Sequence, residues 1–297
     1  MQTSLDCIPC FFRQTLEAGR FVTDDTAVLE RLVRDVLEVV SGMDLSQSPP
    51  AVAQQIHRSL RRLTGVQDPY RAAKDRFNTM ALDMLAEQRR KVEQAADPLV
   101  MAVRLAIAGN VIDLGVDGGL TEEYAREQLN RVMDDPFHGD MEWFRKRAGE
   151  ARSILYLADN AGEIVFDRLL VEQLPLDRVT LVVRGAPVLN DATLVDAEVA
   201  GLCDMVEVID NGSDAPGTIL EDCSEAFRQR FADADLILAK GQGNYESLSA
   251  ESDRVCFMFK AKCPVISRDV GLPVGTHVLK APTGASAPLA VSQRREM

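Results

Sequence analysis

A chain of 297 residues, 46% hydrophobic and 27% charged, has ordinary globular composition and is long enough for one large domain or two smaller ones. Its 33 basic against 46 acidic residues leave a net charge of −13, which argues against nucleic acid or an anionic membrane as a partner and means that an anionic substrate needs focused local cations. No apolar run approaches the roughly 18 residues of a membrane helix, and the start, MQTSLDCIPCFF, has an acid and no basic segment, so it does not read as a signal peptide and a cytoplasmic location is expected.

Cys7-x-x-Cys10 comes first in the chain. In a cytosolic protein of this size the six cysteines (Cys7, Cys10, Cys203, Cys223, Cys256 and Cys263) read as thiols or metal ligands before structural disulfides. The Cys7–Cys10 pair fits a pair of small buried thiols, a soft-metal or redox site with Cys263 as third partner, or a disulfide. From about residue 10 to 150 the periodicity is helical. AVLERLVRDVLEVVSGM repeats apolar residues at i, i+3, i+4 and i+7 and stops near Gly42, and ALDMLAEQRRKVEQAA and PLVMAVRLAIAGNVIDLG read alike. TEEYAREQLNRVM opens on Thr121 as an N-cap. No strand is evident in this half, and residues 1–149 are expected to form a helical domain. In DPYRAAKDRFN, Lys74 and Asn78 fall on one helix face, expected to be solvated, with a cleft lining as the alternative.

After residue 150 short apolar runs alternate with helical stretches. SILYLA, VTLVVRG, MVEVID, ADLILAKG and VCFMFKA read as strands, with helices from Glu163, from Thr193, near Ile219 and after Tyr245 between them. Near-continuous apolar strands alternating with helices predict an α/β domain over residues 150–297, with a mostly parallel sheet covered on both faces. Ligands of such sheets sit at the carboxyl ends of the strands, near the point where strand order reverses. The closing stretch APTGASAPLAVSQRREM is expected to be partly disordered.

The strand ends carry unusual polar residues: Asp159 and Asn160; Arg184, Asn190 and Asp191; Asp210 and Asn211; Lys240, Gly241, Gly243, Asn244, Tyr245 and Glu246; and Lys260, Lys262 and Cys263. Each has a plain structural reading. Asp159 fits a helix N-cap, Asn190 or Asp191 could cap the helix at Thr193, and GQGN fits a turn. Taken together on one sheet rim they suggest more. Two carboxylates and an amide oxygen suit a hard cation such as Mg²⁺ or Mn²⁺. A glycine-rich turn opening a helix offers backbone amides to phosphate, and Lys240 adds charge.

LADNAGEIVFD, VLNDAT and KGQGNYE, in that order after a helical half, resemble the metal-dependent damage-control phosphatases, the family long known as domain of unknown function 89. DCIPCF, DPYRAAKDRFN and AIAGNVIDLG are similar to its prokaryotic, CxxC-containing branch, so the resemblance spans nearly the whole chain. It implies a helical amino-terminal region packed on a Rossmann-like, three-layer α/β/α domain. It implies a divalent ion (Mg, Mn, Co or Ni) held by Asp159, Asn160 and Asp191, with Lys240 placed to meet phosphate. The implied reaction is hydrolysis of phosphate from small metabolites: sugar phosphates, damaged phosphometabolites or nucleotides. The Arg-Thr-x-Lys motif of eukaryotic members is replaced by FKAKCP, leaving open whether Lys260 or Lys262 stands for its lysine. GNVID suggests that Asn110 and Asp113 sit over the cleft, with a helix C-cap as the alternative for Asn110.

The catalytic set expected is therefore Asp159, Glu163 and Lys240. Lys240, Gly241, Gly243, Asn244, Asn110 and Asp113 would line the phosphate and substrate. Water activated by the ion is the simplest nucleophile, with Asp159 the alternative; Glu163 and Glu246 are acid–base or supporting candidates. Two other functions compete. A carboxyl methyltransferase using S-adenosylmethionine would want more glycines after the first strand and an acid ending the second. A non-catalytic metal- or nucleotide-binding module would turn over no phosphate ester.

Overall fold

The computed structural model describes residues 1–111, 122–250 and 254–282. Helices α1 (Ile8–Val22), α2 (Thr26–Gly42), α3 (Pro49–Thr64), α4 (Arg71–Gln94), α5 (Pro98–Ala108) and α6 (Glu122–Asn130) occupy most of the first half. Their starts follow local chemistry. The side chains of Asp25 and Asp97 accept backbone N–H groups at the heads of α2 and α5, and prolines hold the first turns of α3 and α5. Then follow β1 (Phe137–Gly139), α7 (Met141–Glu150), β2 (Ile154–Leu157), α8 (Glu163–Val171), β3 (Val179–Val183), α9 (Leu194–Val199), β4 (Glu207–Asp210), α10 (Glu225–Asp233), β5 (Leu236–Lys240), α11 (Gly241–Leu248), β6 (Val255–Lys260), α12 (Pro264–Val270) and β7 (His277–Lys280).

The strands form one sheet in the order β1-β7-β6-β5-β2-β3-β4, parallel except where β7 runs against β6. The five expected strands are present, and the mixed α/β architecture is that of the sequence reading. Two strands are additions. β1 lies inside the half expected to be wholly helical and pairs with β7, Phe137 opposite His277. Three residues are too few to show alternation, and the pairing is supplied from 140 residues away. The helix expected near Ile219 is a single 3₁₀ turn, Leu220–Asp222; the α-helix begins later, behind the Ser224 cap of α10.

Alternation along the strands divides the core into two layers. Ile154 and Tyr156 of β2, with Leu236 and Leu238 of β5, join the cluster under α4, α5, α7 and α8. Leu155, Leu157, Ile237 and Ala239 face the cluster under α10, α11 and α12. The first of these clusters runs unbroken from Phe77, Met84, Val103 and Ile107 to Ile164, Phe166 and Leu279, so one core crosses residue 150. Helices α1 to α3 add two smaller clusters, around Phe11, Val36 and Ile56 and around Leu32, Leu60 and Tyr70.

β2 lies between β3 and β5, so the chain leaves it to one side and returns on the other. That reversal opens the crevice at the carboxyl ends of β2, β3 and β5. Among the described residues no helix is long and apolar enough to cross a membrane.

Candidate active site at the strand tips

The loop after β3 folds back onto the tip of β2. Leu189 takes a positive φ of 45°, turning the chain so that Asn160 and Asp191 pair in an antiparallel bridge. The Ala161 N–H donates to the Asn190 carbonyl, and the Ala192 N–H to the Asp159 carbonyl, each at 2.8 Å. Asp159, Asn160 and Asp191 are thereby brought together as the sequence suggested. Asp159 is not a helix cap, because the N-cap of α8 is Gly162, and Thr193 rather than Asn190 or Asp191 caps α9.

One guanidinium serves both acids. Arg184 Nε donates to Asp191 Oδ2 at 2.7 Å, and its Nη2 lies 3.8 Å from Asp159 Oδ1. On the other side, Asn110 Nδ2 donates to Asp159 Oδ2 at 3.1 Å and to the Glu163 carboxylate. Asn160 Nδ2 donates to Asp159 Oδ2 at 2.8 Å and Glu163 Oε2 at 3.0 Å. Asn110 is thus a contribution of the helical half to the site and not the C-cap of α5, which is Gly109. Burial, then the carboxylates of Glu163 and Asp191, push the Asp159 pKa well above the usual carboxylate range, against the opposing charges of Arg184 and Lys262. Crowded hard oxygen donors with incomplete cationic compensation fit a divalent ion. Gly241, at φ 76°, starts α11 against this group, and a Cβ there would lie 1.8 Å from Asp159 Oδ2.

The phosphate contacts expected from KGQGN are placed otherwise. Lys240 is fully buried and spends its three N–H donors on the Ala106 carbonyl (2.8 Å), Glu163 Oε1 (2.7 Å) and Asp167 Oδ1 (2.5 Å). Burial alone would lower its pKa, but Asp167 and Glu163 outweigh that and raise it. Asn244 donates to the Ala158 and Lys240 carbonyls and accepts from Thr218 Oγ1, tying β2 to β5. Gly243 admits the Pro216 carbonyl, which would stand 2.5 Å from a Cβ. These residues build the floor and walls of the crevice. Lys240 has no donor left for phosphate and Asn244 is engaged on both sides; the short loop motif could not reveal either, because the partners come from α5, α8 and the segment around Thr218.

The two lysines of FKAKCP part company: Lys262 is exposed and its charge lowers the Asp159 pKa, whereas Lys260 lies 3.6 Å from Asp135. Glu246 is turned from the site toward the amino terminus: its carbonyl accepts from the Met1 amine, and burial lifts its carboxyl to about 7. Lys74 and Asn78 are not solvated; both are fully buried. Lys74 pairs with Asp196 at 2.9 Å, and Asn78 donates to Asp196 while accepting the Gly162 N–H at 2.7 Å. Asp210 accepts the Gly212 N–H, and Asn211 accepts the N–H groups of Gly185 and Ser213. Asp113, Thr121 and the tail from residue 283 lie outside the described residues.

Cys7, Cys10 and Cys263 are free thiols. Burial, Glu246, Cys263 and Cys10 together raise the Cys7 pKa, so the three share a neighbourhood. Among the described residues, however, no three His, Cys, Asp or Glu side chains are arranged to hold a metal ion, and the expected soft-metal site finds no such cluster. At the strand tips the donors are two carboxylates and an amide. A surface depression of about 580 Å³ lies at the opposite end of the sheet, beside Arg152, Arg178 and Cys203.

Residues 3–278 match the model of the damage-control phosphatase ARMT1-like domain. A damage-control phosphatase of Archaeoglobus fulgidus is 35% identical over 287 residues, covering 94% of this chain and 99% of that one. An uncharacterized protein of Methanocaldococcus jannaschii, MJ0202, is 36% identical over 291 residues, covering 92% and 93%. The crystal structure of the DUF89 family protein PH1575 from Pyrococcus horikoshii superposes with a TM-score of 0.86 at 30% identity, over 95% of this chain and 99% of that one.

Proposed function

The chain belongs to the damage-control phosphatase ARMT1-like family, and from that premise we propose that it is a metal-dependent phosphatase of small phosphorylated metabolites. Asp159, Asn160 and Asp191 would hold a divalent ion, Mg, Mn, Co or Ni. When bound, the ion supplies Lewis-acid stabilisation to charge developing on the phosphoryl oxygens. The observation that carries the reading is the Asn160–Asp191 bridge, which sets two acids and an amide around one point with a single guanidinium between the acids.

The chain's own groups divide the remaining work. Glu163, held by Asn110, Asn160 and Lys240, fixes the orientation of the carboxylates and is the candidate to accept a proton from attacking water at Oε2. Lys262 supplies an exposed cation at the mouth, which a chain of net charge −13 needs in order to draw in a phosphate dianion.

The test is turnover of p-nitrophenyl phosphate and fructose 1-phosphate with Mg²⁺, Mn²⁺, Co²⁺ or Ni²⁺. Activity that is lost with EDTA and restored by the ion is expected. No turnover with any of these ions, or turnover indifferent to EDTA, would overturn the proposal. Calorimetric binding of S-adenosylmethionine in place of turnover would favour a methyltransferase.

A further inference from the structure

A phosphate dianion in this crevice needs a cation close to Asp159, and Lys240 has none of its three donors free. Arg184 does. It is 2% exposed, its Nε is spent on Asp191, and its Nη1 reaches Thr218 Oγ1 at 3.5 Å. Its Nη2 is buried with no hydrogen-bond partner among the described residues. A buried guanidinium N–H left unpaired is costly, and such groups in folded proteins are nearly always satisfied.

The direction of that donor is informative. Nη2 stands 3.8 Å from Asp159 Oδ1, just past hydrogen-bond reach. Thr218 links the same guanidinium to Asn244 in the first turn of α11, whose leading N–H groups have no intrahelical acceptor. Gly241 brings the head of that helix against Asp159. An orphan donor, a helix head and the carboxylate proposed to hold the ion therefore face one spot.

We propose that Arg184 is the buried cation that takes a phosphoryl oxygen of the substrate, its Nη2 donating to the anion while its Nε keeps Asp191 in place. The ligand chemistry is that of a phosphate monoester or of free orthophosphate. Arginine suits this dual task because its planar fork binds two oxygen-bearing partners at fixed angles. The inference rests on the phosphatase reading for its substrate, but not for its geometry.

Calorimetry with inorganic phosphate, with and without Mn²⁺, on the full chain tests it. The wild type should bind phosphate, Arg184→Gln should bind it at least about tenfold more weakly, and Arg184→Lys should fall between. Mn²⁺ affinity measured without phosphate should change less than phosphate affinity. Unchanged phosphate affinity in Arg184→Gln would overturn the proposal, as would phosphate and Mn²⁺ affinities falling in step, the result of a role confined to pinning Asp191. Should both variants fail to fold, wild-type crystals soaked in phosphate decide. An anion oxygen within hydrogen-bond distance of Nη2 supports the proposal; an anion elsewhere, or none, overturns it. Phosphate affinity that depends on Arg184 without ester turnover would sink the phosphatase reading and leave Arg184 standing. EDTA-sensitive turnover with Arg184-independent phosphate affinity would do the reverse.

Discussion

Replacing Lys240 by Met separates two roles for this lysine. A lysine that grips phosphate can be lost with little harm to the fold. A lysine that neutralises two buried carboxylates cannot. Lys240 has zero exposed area and is bonded to Glu163, Asp167 and the Ala106 carbonyl. Asp167 also accepts from Tyr156 Oη, and its Oδ2 has no hydrogen-bond partner among the described residues. Removing one member of such a pair leaves uncompensated charge in the core, typically costing about 3–5 kcal/mol. For a chain of this size that corresponds to a fall of roughly 5–15 °C in Tm. Lys240→Met with Asp167→Asn removes one of the stranded charges and should recover part of the loss. Thermal unfolding at one scan rate, paired with phosphate binding, is the assay. A Tm within error of wild type together with weakened phosphate binding would show that the lysine reaches the anion, and the buried-clamp argument would fail.

Gly241→Ala forces a left-handed backbone on a residue with a Cβ and drives that Cβ toward Asp159 Oδ2, so kcat on p-nitrophenyl phosphate should fall about 10²-fold; wild-type kcat would show that the carboxylate can move aside freely. Asn78→Ala strands the Gly162 N–H and one contact of Asp196, and should cost roughly 2–4 kcal/mol in urea unfolding, a midpoint equal to wild type being the contrary result. His57 is buried neutral, its pKa pulled from 6.5 to about 4 by burial and then by Arg61. The unfolded chain therefore takes up a proton below about 6.5 that the fold refuses until about 4, so this contribution is present above 6.5 and is lost as pH falls through that window. His57→Gln should flatten the decline by up to roughly 3 kcal/mol; an unchanged slope in urea unfolding across that range would refute it.

The sheet was legible because buried parallel strands are written locally, as apolar runs between helical stretches. β1 was not, since Phe137–Gly139 becomes a strand only when β7 arrives beside it. Asp159, Asn160 and Asp191 could be found because a strand tip bears them within a few residues of an apolar run. The fate of Lys240 was hidden. Its partners Ala106 and Asp167 are 134 and 73 residues away, and a lysine beside glycines looks the same whether it faces water or a carboxylate pair. Arg184 stood in view after VTLVV, but only the bonds its Nε makes, and the one its Nη2 lacks, suggest its task. Lys74 and Asn78 misled because i, i+4 polar spacing describes a solvated face and an inward polar seam equally well.

The amino-terminal helices hold the rim at several points: Asn78 on the Gly162 turn, Arg61 on the Pro187 carbonyl, and Arg58 on Asp214. Swapping one half of this molecule for another's would therefore not transplant a specificity onto an intact engine. Cut at residue 150, the second half would show water the apolar face that Val103 and Ile107 cover and would let go of the turns that aim its acids. Evolution and engineering alike must vary the two parts as a single inheritance.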